Sequence, residues 1–172
     1  TLLRRFPGHT YPRQFWLMFY GMLISTIGSS MIWPFLMIYA SERLEKPLTV
    51  VASLMTISAT MGLISSFIAG PIVDRFGRKG VMIFSLFANS LGYLLLSQAT
   101  SFPAFAAVMA LQGAVNPLFR VGGDAMMADL VPPEHRVDAY SLLRMSNNLG
   151  IAIGPAIGGF IAASSYNAAF YC

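Results

Sequence analysis

The sequence predicts an all-helical membrane protein, and two observations carry that expectation. Of its 172 residues, 56% are hydrophobic and only 10% are charged, and the mean hydropathy is +0.64. Soluble domains carry about 25% charged residues. The charges are also segregated: no Asp, Glu, Lys or Arg occurs from Gln14 to Ser41, from Pro47 to Val73, or from Gly80 to Phe119. A membrane-crossing helix needs about 20 apolar residues, and the uncharged stretches have room for five. Barrel strands would instead alternate apolar and polar residues. The formal charge of +4 gathers between the apolar runs, which bears on membrane orientation and gives no ground for nucleic-acid binding. Cys172 is single and terminal, and no metal-ligand spacing is visible, so neither a disulfide, a metal nor a cofactor is expected.

Residues 1–13 carry Arg4, Arg5 and Arg13 with Pro7 and Pro12, and they read as a basic lead-in rather than a signal peptide. A first helix is expected over about 14–39, where Gly21, Ser25 and Gly28 put small residues on one face. Such a face suits close helix packing or a substrate path. Trp33 and Tyr39 suit the far interface. Residues 41–46 read as a loop of zero net charge, followed by a second helix over about 47–73 with Gly62, Ser66 and Gly70 spaced by four. Residues 70–79 read as an aqueous turn, and a third helix is expected over about 81–98. The run from Gly80 to Phe119 exceeds one crossing, so it breaks at the polar turn Ser97–Pro103. A fourth helix then occupies about 102–130 and ends before Pro132 and Pro133. A fifth covers about 137–163, Ser164–Asn167 turns, and 168–172 would open a sixth. Basic residues favour the cytoplasm. Three arginines precede the first helix and three basic residues sit in 70–79, so the N-terminus is expected on the cytoplasmic side of the cell membrane.

Gly70, Asp74, Arg75, Gly77, Arg78 and Lys79 set four charged residues and two glycines into one short turn. The pattern Gly-x-x-x-Asp-Arg-x-Gly-Arg-Lys resembles the loop between the second and third helices of the major facilitator superfamily of secondary transporters. The resemblance implies that Asp74 latches onto the other half of a twelve-helix protein. Arg75, Arg78 and Lys79 would then join a cytoplasmic charge network with Asp129 and Arg136. In the fifth helix, Gly150, Gly154, Pro155, Gly158 and Gly159 resemble the antiporter motif of the drug:proton antiporter branch, thought to form a pliable seam between halves. Ser141 stands where that branch has an earlier glycine. Gln112-Gly113 resembles its fourth-helix motif, but Met109 stands where the branch has an arginine assigned to proton coupling. That departure puts proton antiport in question.

Arg120, Asp124 and Arg144 fall inside predicted helices. An intramembrane charge costs at least about 2.5–3.5 kcal/mol on insertion scales, so Asp124 is expected to pair with Arg120 or Arg144, as a coupling site or as a static ion pair. Asn116, Asn147 and Asn148 would bridge helices or line a cavity. Thirteen Phe and 11 Met suit either an adaptable pocket or lipid contact. No catalytic constellation is visible. The resemblance implies the N-terminal half of a proton-driven exporter of small apolar or drug-like compounds, with protons, the bilayer and a C-terminal half as partners. A facilitator-type importer of sugars or other metabolites, and a membrane scaffold or sensor without transport, are the alternatives.

Overall fold

The computed structural model describes residues 11–162. Within them the chain forms α1 (Arg13–Leu44), α2 (Leu48–Phe76), α3 (Arg78–Gln98), α4 (Phe102–Leu130), a 3-10 turn at Pro133–His135, and α5 (Arg136–Ala162). Helices α1 to α4 are each long and apolar enough to cross a membrane, so the chain is a multi-pass membrane protein. Helix α5 has the length, 27 residues, but Arg144, Asn147, Asn148 and its glycines dilute its apolar character. The expected turn at 164–167 and the sixth helix at 168–172 lie outside the described residues.

The expected loops shrink. Ser41 to Leu44 continue α1, because no breaker intervenes before Lys46-Pro47, where a residue preceding proline leaves the helical region. Glu45 closes the helix in the left-handed region at φ 51°, its N–H donating to the Glu42 carbonyl at 3.4 Å. The aqueous turn expected at 70–79 collapses further. Asp74, Arg75 and Phe76 complete α2, Arg78 and Lys79 begin α3, and Gly77 alone separates the two helices. Its φ of +82° is open to glycine at little cost and strained for other residues. Helix α4 ends where Pro132 and Pro133 cannot donate, and α5 runs through Pro155 without interruption.

Helix α1 packs along α5, while α2 and α3 both pack along α4. Helix α4 is the most enclosed of the apolar four, with 44% of its apolar stretch buried against 17% in α1 and in α2. Apolar clusters close both ends of the bundle. One joins Leu36 and Tyr39 of α1 to Leu54, Leu96, Phe105 and Met109. At the opposite end Phe15 and Met18 meet Met127, Val131 and Leu143, and beside them Ala69 and Val73 meet Val81 and Leu118. Leu17, Ile24, Leu63, Phe67, Phe87 and Phe160 point outward, which suits a lipid surround.

Between these ends the helices touch through backbone rather than through large side chains. A Cβ at Gly154 would fall 2.5 Å from that of Ser30, and one at Gly158 would fall 2.9 Å from the Met31 carbonyl carbon. Glycine at these positions is what lets α5 lie against α1. The α2–α4 crossing is equally close, with Gly113 against the Ser58 backbone. Beside it the Ser65 hydroxyl donates to the Ala114 carbonyl at 2.5 Å. Among the described residues, Gly21, Gly28 and Gly70 have nothing within 4 Å of the place a Cβ would take, so the close packing expected of them is not made within this set of helices. In α1 the residues pressed most closely by the α5 glycines are Thr26, Ile27, Ser30 and Met31, on a different face from the Gly21–Gly28 stripe.

Candidate functional site

Two groups of polar residues stand out, one at the helix ends around Gly77 and one on an uncovered face of the bundle. At the first, the Arg78 guanidinium donates to the Asp129 carboxylate, tying the start of α3 to the end of α4. Both side chains are about half exposed, at 43% and 48%, so water screens the pair and its contribution is at most about 1 kcal/mol. Arg136 acts differently from the ion-network member expected. Its Nε donates to the Val131 carbonyl at 3.1 Å and a terminal nitrogen donates to the Ala128 carbonyl at 2.6 Å. These are carbonyls at the C-terminal end of α4, so Arg136 caps that helix.

Asp74 is exposed in the last turn of α2 and has no ion pair among the described residues. A carboxylate there faces the negative end of the helix dipole, at a cost of about 0.3–1 kcal/mol. Arg78 and Lys79, in the first turn of α3, oppose the positive end in the same way. Arg75 lies 5.7 Å from the centroid of the neighbouring Phe76 ring. Local helix energetics therefore do not account for this arrangement of charge.

On the second group, Asn116, Arg120 and Asp124 follow one another at four-residue spacing along a single face of α4, and all three are exposed. Arg144, Asn147 and Asn148 are exposed on α5. The direct ion pair expected for Asp124 is not formed. Arg120 and Arg144 both act on its carboxylate electrostatically without closing a salt bridge. The Tyr140 hydroxyl of α5 donates to the Asp124 backbone carbonyl at 3.2 Å, placing the two helices side by side here. Thr26 of α1 donates to Asn147 Oδ1 at 3.2 Å, so one of the two asparagines does bridge helices.

Arg120 and Asn116 also line a cavity of about 310 Å³ between α2 and α4, together with Ser58, Gly62, Ser66, Gly113 and Pro117. Sequence reasoning missed Ser58 and Ser65 at this crossing. Small residues facing Gly113 across two helices were the available signal, but which helix faces Gly113 is a tertiary fact. Pro117 cannot donate the helical hydrogen bond to the Gly113 carbonyl, which leaves an acceptor on the cavity wall. Met109 is fully buried in the apolar cluster, and Gln112 is buried against Gly92 of α3 with its amide nitrogen unpartnered. The fourth-helix pattern thus packs inside this half, whereas Arg120, three turns further along, opens outward.

Comparison with known proteins agrees with these features. The sequence profile of the Major Facilitator Superfamily matches residues 18–172. An uncharacterised MFS-type transporter of Bacillus subtilis strain 168, YqjV, is 28% identical over 90% of this chain and 38% of its own length. A Na(+), Li(+), K(+)/H(+) antiporter of Planococcus maritimus is 30% identical over 76% of this chain and 32% of its own length. The class H tetracycline resistance protein of Pasteurella multocida is 28% identical over 81% of this chain and 35% of its own length. The chain therefore spans well under half the length of these relatives. A helical membrane bundle matched by that profile over nearly its whole length is a member of the family, and the chain belongs to the major facilitator superfamily.

Proposed function

We propose that this chain is the N-terminal half of a secondary active transporter that expels small apolar or drug-like compounds in exchange for protons. The observation that supports it most is the exposed set Arg120, Asp124 and Arg144, three charges within the long helices α4 and α5. Three such charges facing lipid would cost about 8–10 kcal/mol on insertion scales, so their face requires water or a protein partner. A second half packed across an aqueous midplane site meets that need, and rocking of the halves would expose the site to each side in turn. Asp124 is the carboxylate available for proton coupling, a role that Met109 cannot fill. Asp74, without a partner in the described half, would latch onto the other one at the cytoplasmic surface. The glycine seam of α5 against α1 would give the half its compliance, and the N-terminus would lie on the cytoplasmic side of the cell membrane.

The full-length protein in everted vesicles tests this reading. An acid lumen should drive accumulation of apolar compounds, and Asp124→Asn should reduce it at least tenfold. A proton symporter would show no accumulation in that geometry. Unchanged proton-driven flux in the Asn variant would remove Asp124 from the coupling step.

A further inference from the structure

We propose that the cavity between α2 and α4 binds the anionic group of an amphiphilic small molecule, with Arg120 as its charge partner. This names a substrate class for the transporter reading and rests on it. Arg120 reaches the cavity from α4, and Asn116, one turn away on the same face, supplies a neutral amide donor beside it. No acidic residue occurs along α2 between Leu48 and Val73, so the opposite wall offers nothing to neutralise the guanidinium. Ser58 and Ser66 stand on that wall, and Ser66 spends its hydroxyl proton on the Gly62 carbonyl at 2.7 Å. The nearby carboxylate, Asp124, is shared electrostatically between Arg120 and Arg144 without a direct bond to either. Arg120 is the one charged residue in the lining, so the cavity wall carries a single positive charge.

That charge argues against a metal cation or an organic cation here, because a second positive charge would meet the Arg120 guanidinium with no carboxylate in the lining. A planar guanidinium fits a carboxylate, sulfonate or phosphate through paired hydrogen bonds, and such charge-assisted bonds are about twice as strong as neutral ones. The volume of about 310 Å³ lies at the small end of ligand pockets, enough for one aromatic ring with its acid group. The Gly113 carbonyl, which Pro117 leaves without its helical donor, would accept an N–H or O–H elsewhere on the same ligand.

Radiolabelled sulfanilate, a permanent anion with an N–H donor, is the probe. Its equilibrium binding to the purified full-length protein is compared with that of benzyltrimethylammonium, a cation of similar size. The expected result is saturable sulfanilate binding that Arg120→Gln weakens at least tenfold and Arg120→Lys partly restores. Ser66→Asp, which adds a carboxylate to the facing wall, should abolish it. Cation binding as tight as sulfanilate binding, or sulfanilate binding insensitive to both Arg120→Gln and Ser66→Asp, overturns the proposal. Proton-driven flux in vesicles reads the transport hypothesis separately. Saturable, Arg120-dependent binding without flux upholds the site and sinks transport, whereas flux of neutral compounds with no sulfanilate binding does the reverse.

Discussion

Replacing Gly158 by Ala tests whether α1 and α5 are held together through their backbones. The added methyl would sit 2.9 Å from both the carbonyl carbon and the Cα of Met31, and closer still to the carbonyl oxygen. Comfortable carbon contacts begin near 3.5 Å, so the two helices must part by roughly 0.5 Å or more. The obstructing atoms are main chain, and no rotamer change can clear them. Overpacking of this kind costs about 1–3 kcal/mol, and the absence of a side-chain escape places Gly158→Ala at the upper end. For a chain of this size that corresponds to a fall of about 4–12 °C in the unfolding midpoint. The controls come from the same class of residue. Gly21→Ala in α1 meets nothing within 4 Å and should gain about 0.5–1 kcal/mol from helix propensity. At Gly159 the nearest atom is Cζ of Phe35 at 3.6 Å, an ordinary contact, and Ala there should be neutral within about 0.5 kcal/mol. Midpoints are read on detergent-purified protein by loss of monodispersity on heating. If Gly158→Ala melts with Gly21→Ala, the α1–α5 seam is looser than described and the argument from close approach fails.

Arg136→Ala removes two charge-assisted hydrogen bonds from the end of α4 and should lower stability by about 1–3 kcal/mol, read by the same melting assay. Arg136→Lys, with one point donor in place of a fork, should recover part of that loss, and equal loss in both would mean the fork geometry is what matters. A double-mutant cycle on Arg78→Gln and Asp129→Asn should give a coupling of about 0.2–1 kcal/mol that shrinks as salt rises, because both groups are half exposed. Gly77→Ala meets no neighbour within 4 Å yet holds φ at +82°, so any loss, expected at about 1–3 kcal/mol, is backbone strain alone. Gly77→Asn should lose as much in the same assay, because ψ of 138° lies outside the left-handed region that asparagine tolerates.

The sequence by itself determined the solvent this protein lives in. Apolar runs too long and too charge-free for water require helices, because lipid offers the backbone no other hydrogen-bond partner. Pro132-Pro133 and the Gly77 turn were legible because each acts through local backbone chemistry. The spacing of Gly70, Asp74, Gly77 and Arg78 also pointed to the family. What sequence alone left open was which faces meet. Two glycine stripes read alike, at Gly21–Gly28 and Gly150–Gly158, yet among the described residues one is uncovered and the other presses on a neighbouring backbone. Spacing of three or four marks a face but not its partner. The same holds for charge: Asp124, Arg120 and Arg144 invited pairing, and only the packing of α4 beside α5 decided that they share a field without a bond. In a bilayer, burial of apolar surface does not choose among helix faces, so the choice falls to shape and to polar groups contributed by several helices, and that information is complete only in three dimensions.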